Sequence, residues 1–129
     1  MGYVTEPLAG IRVFVVDDDD DTRVIMEEVL GYLGAQAMTA ASAHAALALA
    51  PELDIIVTDI AMPAADGLWL LEWINALPRP IPVIAMSGYA EQPLPDFERA
   101  PFARKLLKPV ERAVLAAVIH DVLAQVNRA

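Results

Sequence analysis

The sequence predicts an α/β fold, in which a doubly wound, five-stranded parallel sheet carries helices on both faces. Apolar runs of strand length alternate with segments whose apolar residues recur at helical spacing. Four of these runs also end directly at a polar residue, namely Asp17, Asp59, Ser87 and Lys108. Because the carboxyl ends of parallel strands meet at one edge of a sheet, we expect a ligand crevice at that edge.

The first strand and the first helix flank a run of aspartates. Branched apolar residues over Ile11–Val16 indicate a buried strand, and a helix is expected over Thr22–Leu33. The residues Asp19–Asp21 are typical of a solvated loop that starts a helix. Gly34 follows the helix, where a residue of left-handed backbone conformation is favourable. The apolar face of the helix carries Ile25, Val29 and Leu33.

The next three elements are shorter. The segment Ala35–Thr39 is a short predicted strand. Ser42 can cap a small helix that runs to Ala50, and Pro51 follows it. The apolar run Asp54–Thr58 is predicted as the central strand of the sheet.

The second half of the chain continues the alternation. An amphipathic helix is predicted over Gly67–Leu77, and Pro78 stops it. The fourth and fifth strands are expected at Ile81–Met86 and Arg104–Leu107, and the last helix at Arg112–Asn127. The apolar residues of the Gly67–Leu77 helix are Leu68, Leu71, Trp73 and Ile74.

The interval between the fourth and fifth strands is rich in proline. A crossover helix belongs in Glu91–Pro101, but Pro93, Pro95 and Pro101 each restrict the backbone and remove a hydrogen-bond donor. We therefore expect this fourth crossover helix to be short or irregular, with one or two turns around Asp96–Arg99.

Composition excludes several classes of protein. A chain of 129 residues is predicted to be one domain, with a core of about residues 10–127. The net charge of -9 and the lack of a basic stripe argue against direct nucleic-acid binding. Cysteine is absent, which excludes disulfides and thiol chemistry. No signal peptide and no apolar run near the roughly 20 residues of a membrane span are present, so we expect a soluble cytoplasmic protein.

The strand-end residues together suggest phosphoryl-transfer chemistry. Asp17 and Asp18 directly follow the first strand and would crowd Asp59, so these carboxylates would repel one another unless a cation or a proton intervened. Mg²⁺ suits this position, since it is a hard cation that binds a few carboxylates together with water and phosphate oxygens. With the hydroxyl of Ser87 and the ammonium of Lys108, Asp59 becomes a candidate nucleophile towards phosphorus.

Two motifs connect this site to a known family. The string from Asp59 to Gly67 reads Asp-Ile-Ala-Met-Pro-Ala-Ala-Asp-Gly, and Lys108 is followed by Pro109. With the acidic pair and the strand-end serine, they make the chain resemble the receiver domain of two-component response regulators over nearly its whole length. The resemblance implies the strand order 2-1-3-4-5 and a Lys-Pro peptide bond that is often cis.

The resemblance also assigns metal ligands. It implies that Asp18 and Asp59 ligate Mg²⁺ directly, that Asp17 acts mainly through water, and that the backbone carbonyl of Ala61 is a further ligand. Asp59 is the implied phosphoacceptor. The protein would then be no enzyme, but a phosphoacceptor that assists its own phosphorylation and dephosphorylation.

The other implied roles concern phosphoryl contacts and partners. Ser87 would hydrogen-bond a phosphoryl oxygen, and Lys108 would pair with Asp59 at rest and with a phosphoryl oxygen afterwards. The implied donor is the phosphohistidine of a sensor histidine kinase or a histidine phosphotransfer protein. We predict a stand-alone bacterial receiver, with a receiver excised from a hybrid kinase as the alternative, that signals by contact with an unidentified downstream protein. The run Ala113–Ile119 is apolar around the helix, so its surface could meet another protein or form a homodimer.

Two positions depart from the usual receiver. Lys105 stands three residues before Lys108, where receivers usually carry a Tyr or Phe that turns inward on activation. The usual aromatic switch is therefore absent. Tyr89 lies two residues after Ser87, at a position that borders the phosphoryl group in receivers.

Two alternatives from other classes fit parts of the sequence. The run Asp18–Thr22 matches the Asp-x-Asp-x-Thr motif of haloacid-dehalogenase-like phosphatases, in which Asp18 would be the nucleophile, but this reading leaves the Asp59 loop unexplained. A receiver-fold interaction module that works without phosphorylation is the second alternative. The intact set of acids, hydroxyl and lysine argues against it.

Overall fold

Five strands form one parallel sheet in the computed structural model, which describes residues 6–60, 67–88 and 100–128. The strands are β1 (Arg12–Val16), β2 (Gln36–Ala40), β3 (Ile55–Asp59), β4 (Val83–Ser87) and β5 (Arg104–Leu107). Their order is β2-β1-β3-β4-β5, as the resemblance implied, and all four neighbouring pairs are parallel. Of the three interior strands, β3 and β4 are buried along their whole length and β1 is buried except at Arg12, as continuous apolar runs in a parallel sheet predict.

Helices cover both faces of the sheet. Alternate side chains of each strand point to opposite faces, so Val13 and Phe14 of β1 enter different cores. One core lies between the sheet and the helices α1 and α4, and the other lies between the sheet and α2 and α3. The doubly wound arrangement is thereby confirmed. The helices are α1 (Asp20–Tyr32), α2 (Ala43–Leu49), α3 (Gly67–Asn75) and α4 (Arg112–Arg128), with a 3₁₀ turn at Ala50–Glu52.

The ends of α1 follow local capping rules. Asp19 caps the N-terminus, so the helix begins earlier than predicted. Gly34 has φ 93°, which confirms its predicted role at the C-terminus. Its N–H donates to the carbonyl of Gly31 at 3.0 Å, and the N–H of Ala35 donates to the carbonyl of Leu30 at 3.0 Å. These two bonds satisfy carbonyls that the last turn would otherwise leave without a donor.

The predicted apolar face of α1 is wrong in one respect. Ile25 is 58% exposed, and Val29 is only partly buried. The side chains that pack on the sheet are Met26, Leu30 and Leu33. Apolar residues surround more of this helix than the sheet can cover, so the position in which the helix docks decides which of them is buried.

The helix α3 is shorter than predicted. It ends at Asn75, and the N–H of Leu77 then donates to the carbonyl of Ile74 at 3.1 Å, which closes a tighter three-residue turn. Of the apolar residues named for this helix, Trp73 lies outside the buried face, since its side chain is 52% exposed. The buried side chains of α3 are Leu70, Leu71 and Ile74.

The predicted crossover over Glu91–Pro101 falls almost wholly outside the described residues, which include only its last two positions. Its short or irregular helix therefore stays a prediction. Among the helices that the structure describes, none is both long and apolar enough to cross a membrane.

Candidate functional site

Polar side chains collect at the edge where the strands end. Asp17 follows β1, Asp59 ends β3, Ser87 ends β4, and Lys108 follows β5. The backbone N–H of Lys108 donates to the carbonyl of Ser87 at 2.7 Å, which fastens the ends of β4 and β5 together. The peptide bond between Lys108 and Pro109 is cis, in agreement with the expectation.

Three aspartates form an acidic cluster at this edge. One carboxylate oxygen from each of Asp17, Asp18 and Asp59 lies within 4.8 Å of the other two. Asp17 and Asp59 are buried, whereas Asp18 is exposed to solvent. Carboxylates that approach so closely repel one another unless positive charge lies nearby, and burial strengthens the repulsion.

Lys108 supplies positive charge to this cluster. Its Nζ lies 2.7 Å from Oδ2 of Asp17 and 3.3 Å from Oδ2 of Asp59. Partial burial alone would lower the pKa of Lys108, but the hydrogen bond to Asp17 and the charge of Asp59 outweigh it and raise that pKa above its usual value. The side chain therefore remains an ammonium at neutral pH. Its predicted contact with Asp59 is present, whereas the shorter contact with Asp17 was not predicted.

Asp17 is held through each of its polar groups. Its N–H donates to the carbonyl of Ala40 at 3.1 Å, and its Oδ1 accepts from the N–H of Asp19 at 3.0 Å. Its Oδ2 accepts from Lys108, and its carbonyl accepts from Nη1 of Arg23 at 2.7 Å. The carboxylate cannot rotate without breaking these bonds, so its orientation is set before any ligand arrives.

The remaining aspartates of the run start α1, as predicted. Oδ2 of Asp19 accepts from the backbone N–H of Thr22 at 2.9 Å and from its hydroxyl at 2.5 Å. These hydrogen bonds from Thr22 lower the pKa of Asp19. Asp20 and Asp21 lie exposed in the first turn, where negative charge is favourable at a helix N-terminus.

Gly67 brings α3 into contact with the backbone of the site. A Cβ at this position would lie 3.0 Å from the carbonyl oxygen of Asp59 and 3.1 Å from Cα of Ile60. The N–H of Gly67 donates to the carbonyl of Ile60 at 3.3 Å. Gly67 begins the predicted helix, and the reason for glycine here is this close approach of the helix to the end of β3.

The donor set suits a divalent cation. Three carboxylates and one ammonium leave the cluster with a net charge of -2. Carboxylate oxygens are hard donors of the kind that Mg²⁺ prefers. Asp17, Asp18 and Asp59 could therefore hold Mg²⁺. Ala61, whose carbonyl was predicted as a ligand, lies outside the described residues, and so does Tyr89.

Arg23 is a site residue that the sequence analysis did not identify. Besides its bond to the carbonyl of Asp17, its Nη2 forms an ion pair with the carboxylate of Asp20. The available signal was the spacing of three between Asp20 and Arg23, at which side chains meet on a helix. The contact with Asp17 has no comparable signal, because it depends on how the loop enters the helix.

A family model and several known proteins are similar to this chain over most of its length. Residues 13–120 match the family model of the response regulator receiver domain. A 14.6 kDa protein of the sodA1 3′ region of Leptolyngbya boryana is 36% identical over 121 residues, which cover 90% of this chain and 92% of that protein. The transcriptional regulatory protein FixJ of Azorhizobium caulinodans is 34% identical over 119 residues, which cover 90% of this chain but only 56% of FixJ. The chain thus spans about half the length of that regulator.

Solved structures give the same result. The crystal structure of FixJ-N superposes with a TM-score of 0.80 at 28% identity, covering 91% of this chain and 96% of that one. The receiver domain of the sensor histidine kinase PA1611 from Pseudomonas aeruginosa PAO1 also gives a TM-score of 0.80, at 26% identity, covering 90% of this chain and 99% of that one. That receiver has a magnesium ion coordinated in its active-site cleft.

Proposed function

Because the chain belongs to the response regulator receiver domain family, we propose that it accepts a phosphoryl group on Asp59. The donor is the phosphohistidine of a sensor histidine kinase or a histidine phosphotransfer protein. The phosphorylated protein then signals by contact with a downstream protein. The observation that carries this proposal is the position of Asp59, which is buried at the end of β3 among two further acids and the ammonium of Lys108.

The proposed transfer needs a nucleophile and charge neutralisation. A carboxylate oxygen of Asp59 forms a bond to phosphorus as the bond between phosphorus and the donor's imidazole nitrogen breaks. The electron pair of that bond stays on the nitrogen, and the ring leaves in its neutral form when its other nitrogen carries a proton. Positioning and electrostatic stabilisation supply most of the rate enhancement in such transfers.

Lys108 and Ser87 are the proposed donors to the transferred group. The ammonium of Lys108 already lies 3.3 Å from Oδ2 of Asp59, so a phosphoryl oxygen attached to that carboxylate would come within its reach. Ser87 ends the adjacent strand β4, and its hydroxyl would donate to a second phosphoryl oxygen. Lys108 would exchange its contact with Asp59 for one with the phosphoryl group, and Ser87 would add a second donor to that group.

Mg²⁺ is the proposed cofactor. Asp18 and Asp59 would hold it directly, Asp17 through water, and the carbonyl of Ala61 would complete the protein ligands. When bound, the cation would neutralise negative charge that spreads over the phosphoryl oxygens. The net charge of -2 in the cluster supports this assignment, as does the magnesium-bound receiver of PA1611.

This function makes the chain a phosphoacceptor that assists its own phosphorylation and dephosphorylation, and not an enzyme with a separate substrate. The comparisons give no support to a haloacid-dehalogenase-like phosphatase or to a phosphorylation-independent module. The environments of the acids also favour Asp59 as the nucleophile, since Asp59 is buried beside an ammonium whereas Asp18 is exposed.

Phosphorylation of the purified protein tests the proposal. With Mg²⁺ and acetyl phosphate or a phosphorylated kinase, intact-mass spectrometry should show one added phosphoryl group, and peptide mapping should locate it on Asp59. Asp59→Asn should abolish the label, whereas the exposed Asp21→Asn should keep it. If Asp59→Asn is still fully labelled and Asp18→Asn forms no phosphoaspartate, the result would instead support a haloacid-dehalogenase-like phosphatase with Asp18 as the nucleophile.

The proposed contact surface involves the last helix. In the apolar run Ala113–Ile119, the side chains of Leu115, Val118 and Ile119 are buried against the sheet, whereas Val114 is 44% exposed. Leu107 at the end of β5 is 56% exposed. These two exposed apolar side chains support contact with another protein or a homodimer through α4. Direct nucleic-acid and membrane partners are not part of the proposal.

We also propose that residues 1–129 form one receiver domain with a core of about residues 10–127. The location in the cytoplasm stays a prediction.

A further inference from the structure

We propose that Arg23 is a positioning residue for the divalent cation, which fixes the loop of Asp17 and Asp18 in the conformation that the cation requires. This inference rests on the proposed function, because it concerns the same metal site. Arg23 lies in the first two turns of α1 and is not itself a ligand. It acts through the backbone of the residue that precedes Asp18.

The contacts of Arg23 join the loop to the helix. Nη1 donates to the carbonyl of Asp17 at 2.7 Å, and Nη2 pairs with the carboxylate of Asp20 in the first turn of α1. The carbonyl of Asp17 belongs to the peptide group that links Asp17 to Asp18. By holding that peptide plane, Arg23 sets the direction of the Cα–Cβ bond of Asp18. It therefore limits where the carboxylate of Asp18 can lie.

Asp18 is less restrained by its own contacts than Asp17 is. Asp17 is fixed by Ala40, Asp19 and Lys108, all of which bind its N–H or its carboxylate. Its carbonyl depends on Arg23. Asp18 is exposed, so packing does not restrict its side chain as it restricts the buried Asp17 and Asp59. Two hydrogen bonds therefore restrain the backbone on either side of Asp18: the N–H of Asp19 binds Oδ1 of Asp17 on one side, and Arg23 holds the preceding peptide group on the other.

The planar fork of arginine is what allows both contacts. The side chain of Arg23 is only 19% exposed, so its guanidinium lies against the loop and is shielded from water. An arginine can bind a carbonyl with one terminal nitrogen and a carboxylate with the other, whereas the single ammonium of a lysine is a compact point charge. A lysine at this position would keep the charge but lose the rigid fork, whose two separate nitrogens reach the carbonyl and the carboxylate at once.

Positioning and simple electrostatics predict opposite effects of removing this side chain. A positive charge beside an acidic cluster repels a divalent cation, so its loss would tighten Mg²⁺ binding if charge were its only effect. If Arg23 positions the loop, its loss should weaken binding, as changes behind the direct ligands of a metal usually do. Whether Mg²⁺ binding becomes tighter or weaker therefore distinguishes a pure charge effect of Arg23 from a positioning role.

Titration of the full chain with MgCl₂ in a calorimeter tests the proposal. We expect Arg23→Gln to raise the Kd for Mg²⁺ about tenfold, and Arg23→Lys to raise it as well although the charge is kept. Arg79→Gln is the matched control, because Arg79 is exposed in the loop before β4, at the opposite end of the strands, and it should bind Mg²⁺ like the wild type. Melting of each variant without metal shows whether it is folded, and Arg23→Lys carries the test if Arg23→Gln does not fold.

The outcomes distinguish the two proposals from each other. If the wild type binds no Mg²⁺, the proposed metal site fails. If the wild type binds and both Arg23 variants bind as tightly or more tightly, the metal site stands and the positioning role of Arg23 is refuted. Weaker binding in both variants, with melting temperatures near that of the wild type, supports positioning over a general loss of structure.

Discussion

The ammonium of Lys108 lies closer to Asp17 than to Asp59, at 2.7 Å from Oδ2 of the first and 3.3 Å from Oδ2 of the second. The shorter contact is with Asp17, whose position other hydrogen bonds also fix. The longer contact is with Asp59, the proposed phosphoacceptor. A lysine held in this way can keep its bond to Asp17 while it exchanges an oxygen of Asp59 for a phosphoryl oxygen.

The raised pKa of Lys108 predicts a loss of stability at high pH. The lysine of the unfolded chain titrates near the usual value of 10.5, and that of the folded protein titrates above it. The protonated lysine thus contributes fully to stability below pH 10.5, and the contribution disappears as the pH rises through the folded pKa. Urea unfolding at increasing pH should show this fall in the wild type and in Lys105→Met, whereas Lys108→Met should show less of it. If the free energy of unfolding depends on pH equally in all three proteins, protonation of Lys108 does not contribute to stability.

Mg²⁺ should stabilise the folded protein. A ligand that binds only the folded state adds about 2.7 kcal/mol when its concentration is 100 times its Kd. We expect millimolar Mg²⁺ to raise the melting temperature of the wild type and of Asp21→Asn, and to have less effect on Asp18→Asn and Asp59→Asn. An unchanged melting temperature in the wild type would count against the metal site.

Two glycines should respond to alanine in opposite ways. Gly67→Ala places a Cβ 3.0 Å from the carbonyl oxygen of Asp59, so α3 or the end of β3 must shift, and we expect a loss of about 1–3 kcal/mol together with slower phosphorylation. Gly31→Ala in α1 meets no atom within 4 Å, so it should stabilise the protein by about 0.5–1 kcal/mol. Urea unfolding of both variants measures these changes. If Gly67→Ala has the same stability as the wild type, close approach to Asp59 is not the reason for glycine at this position.

Phosphorylation should change the region between Ser87 and Lys108. Lys105 is exposed, and moving its ammonium out of water into the place of an inward-turning aromatic ring would cost too much free energy. We expect the proline-rich interval Glu91–Pro101 to change conformation when the hydroxyl of Ser87 binds the phosphoryl group. Hydrogen exchange of the free and beryllofluoride-loaded protein should therefore differ within residues 88–108. Changes confined to the loop after Asp59 would refute this view of the output.

Association through α4 should depend on its exposed apolar side chains. If Leu107 and Val114 form a homodimer contact, Val114→Asp should shift sedimentation of the phosphorylated protein towards the monomer, since a charge cannot be buried there unpaired. Val24→Asp on α1 is the matched control, because Val24 is a similarly exposed valine on another helix. Equal dissociation by both variants would exclude a specific contact through α4.

Several features of the site could be predicted because their signals are local. Asp59, Ser87 and Lys108 stand where apolar runs stop, and parallel strands bring such stops together whatever the rest of the chain does. Ser42 and Gly34 likewise mark helix ends through hydrogen bonds to near neighbours. Such features depend on residues close in sequence.

Other features depend on how elements far apart in the chain dock, and they became known from the folded protein. The alternation of runs established a doubly wound parallel sheet, but the strand order came from resemblance, since similar apolar strands can pair in several orders. The burial of Met26 in place of Ile25 follows from how α1 lies on the sheet. The contact of Gly67 with Asp59 and the bond of Arg23 to the carbonyl of Asp17 follow from how a helix and a strand end meet. Local hydrophobic patterning was sufficient to predict which chemical groups reach the edge of the sheet, because each group stands where an apolar run ends. Their distances and orientations depend on packing between elements far apart in the chain.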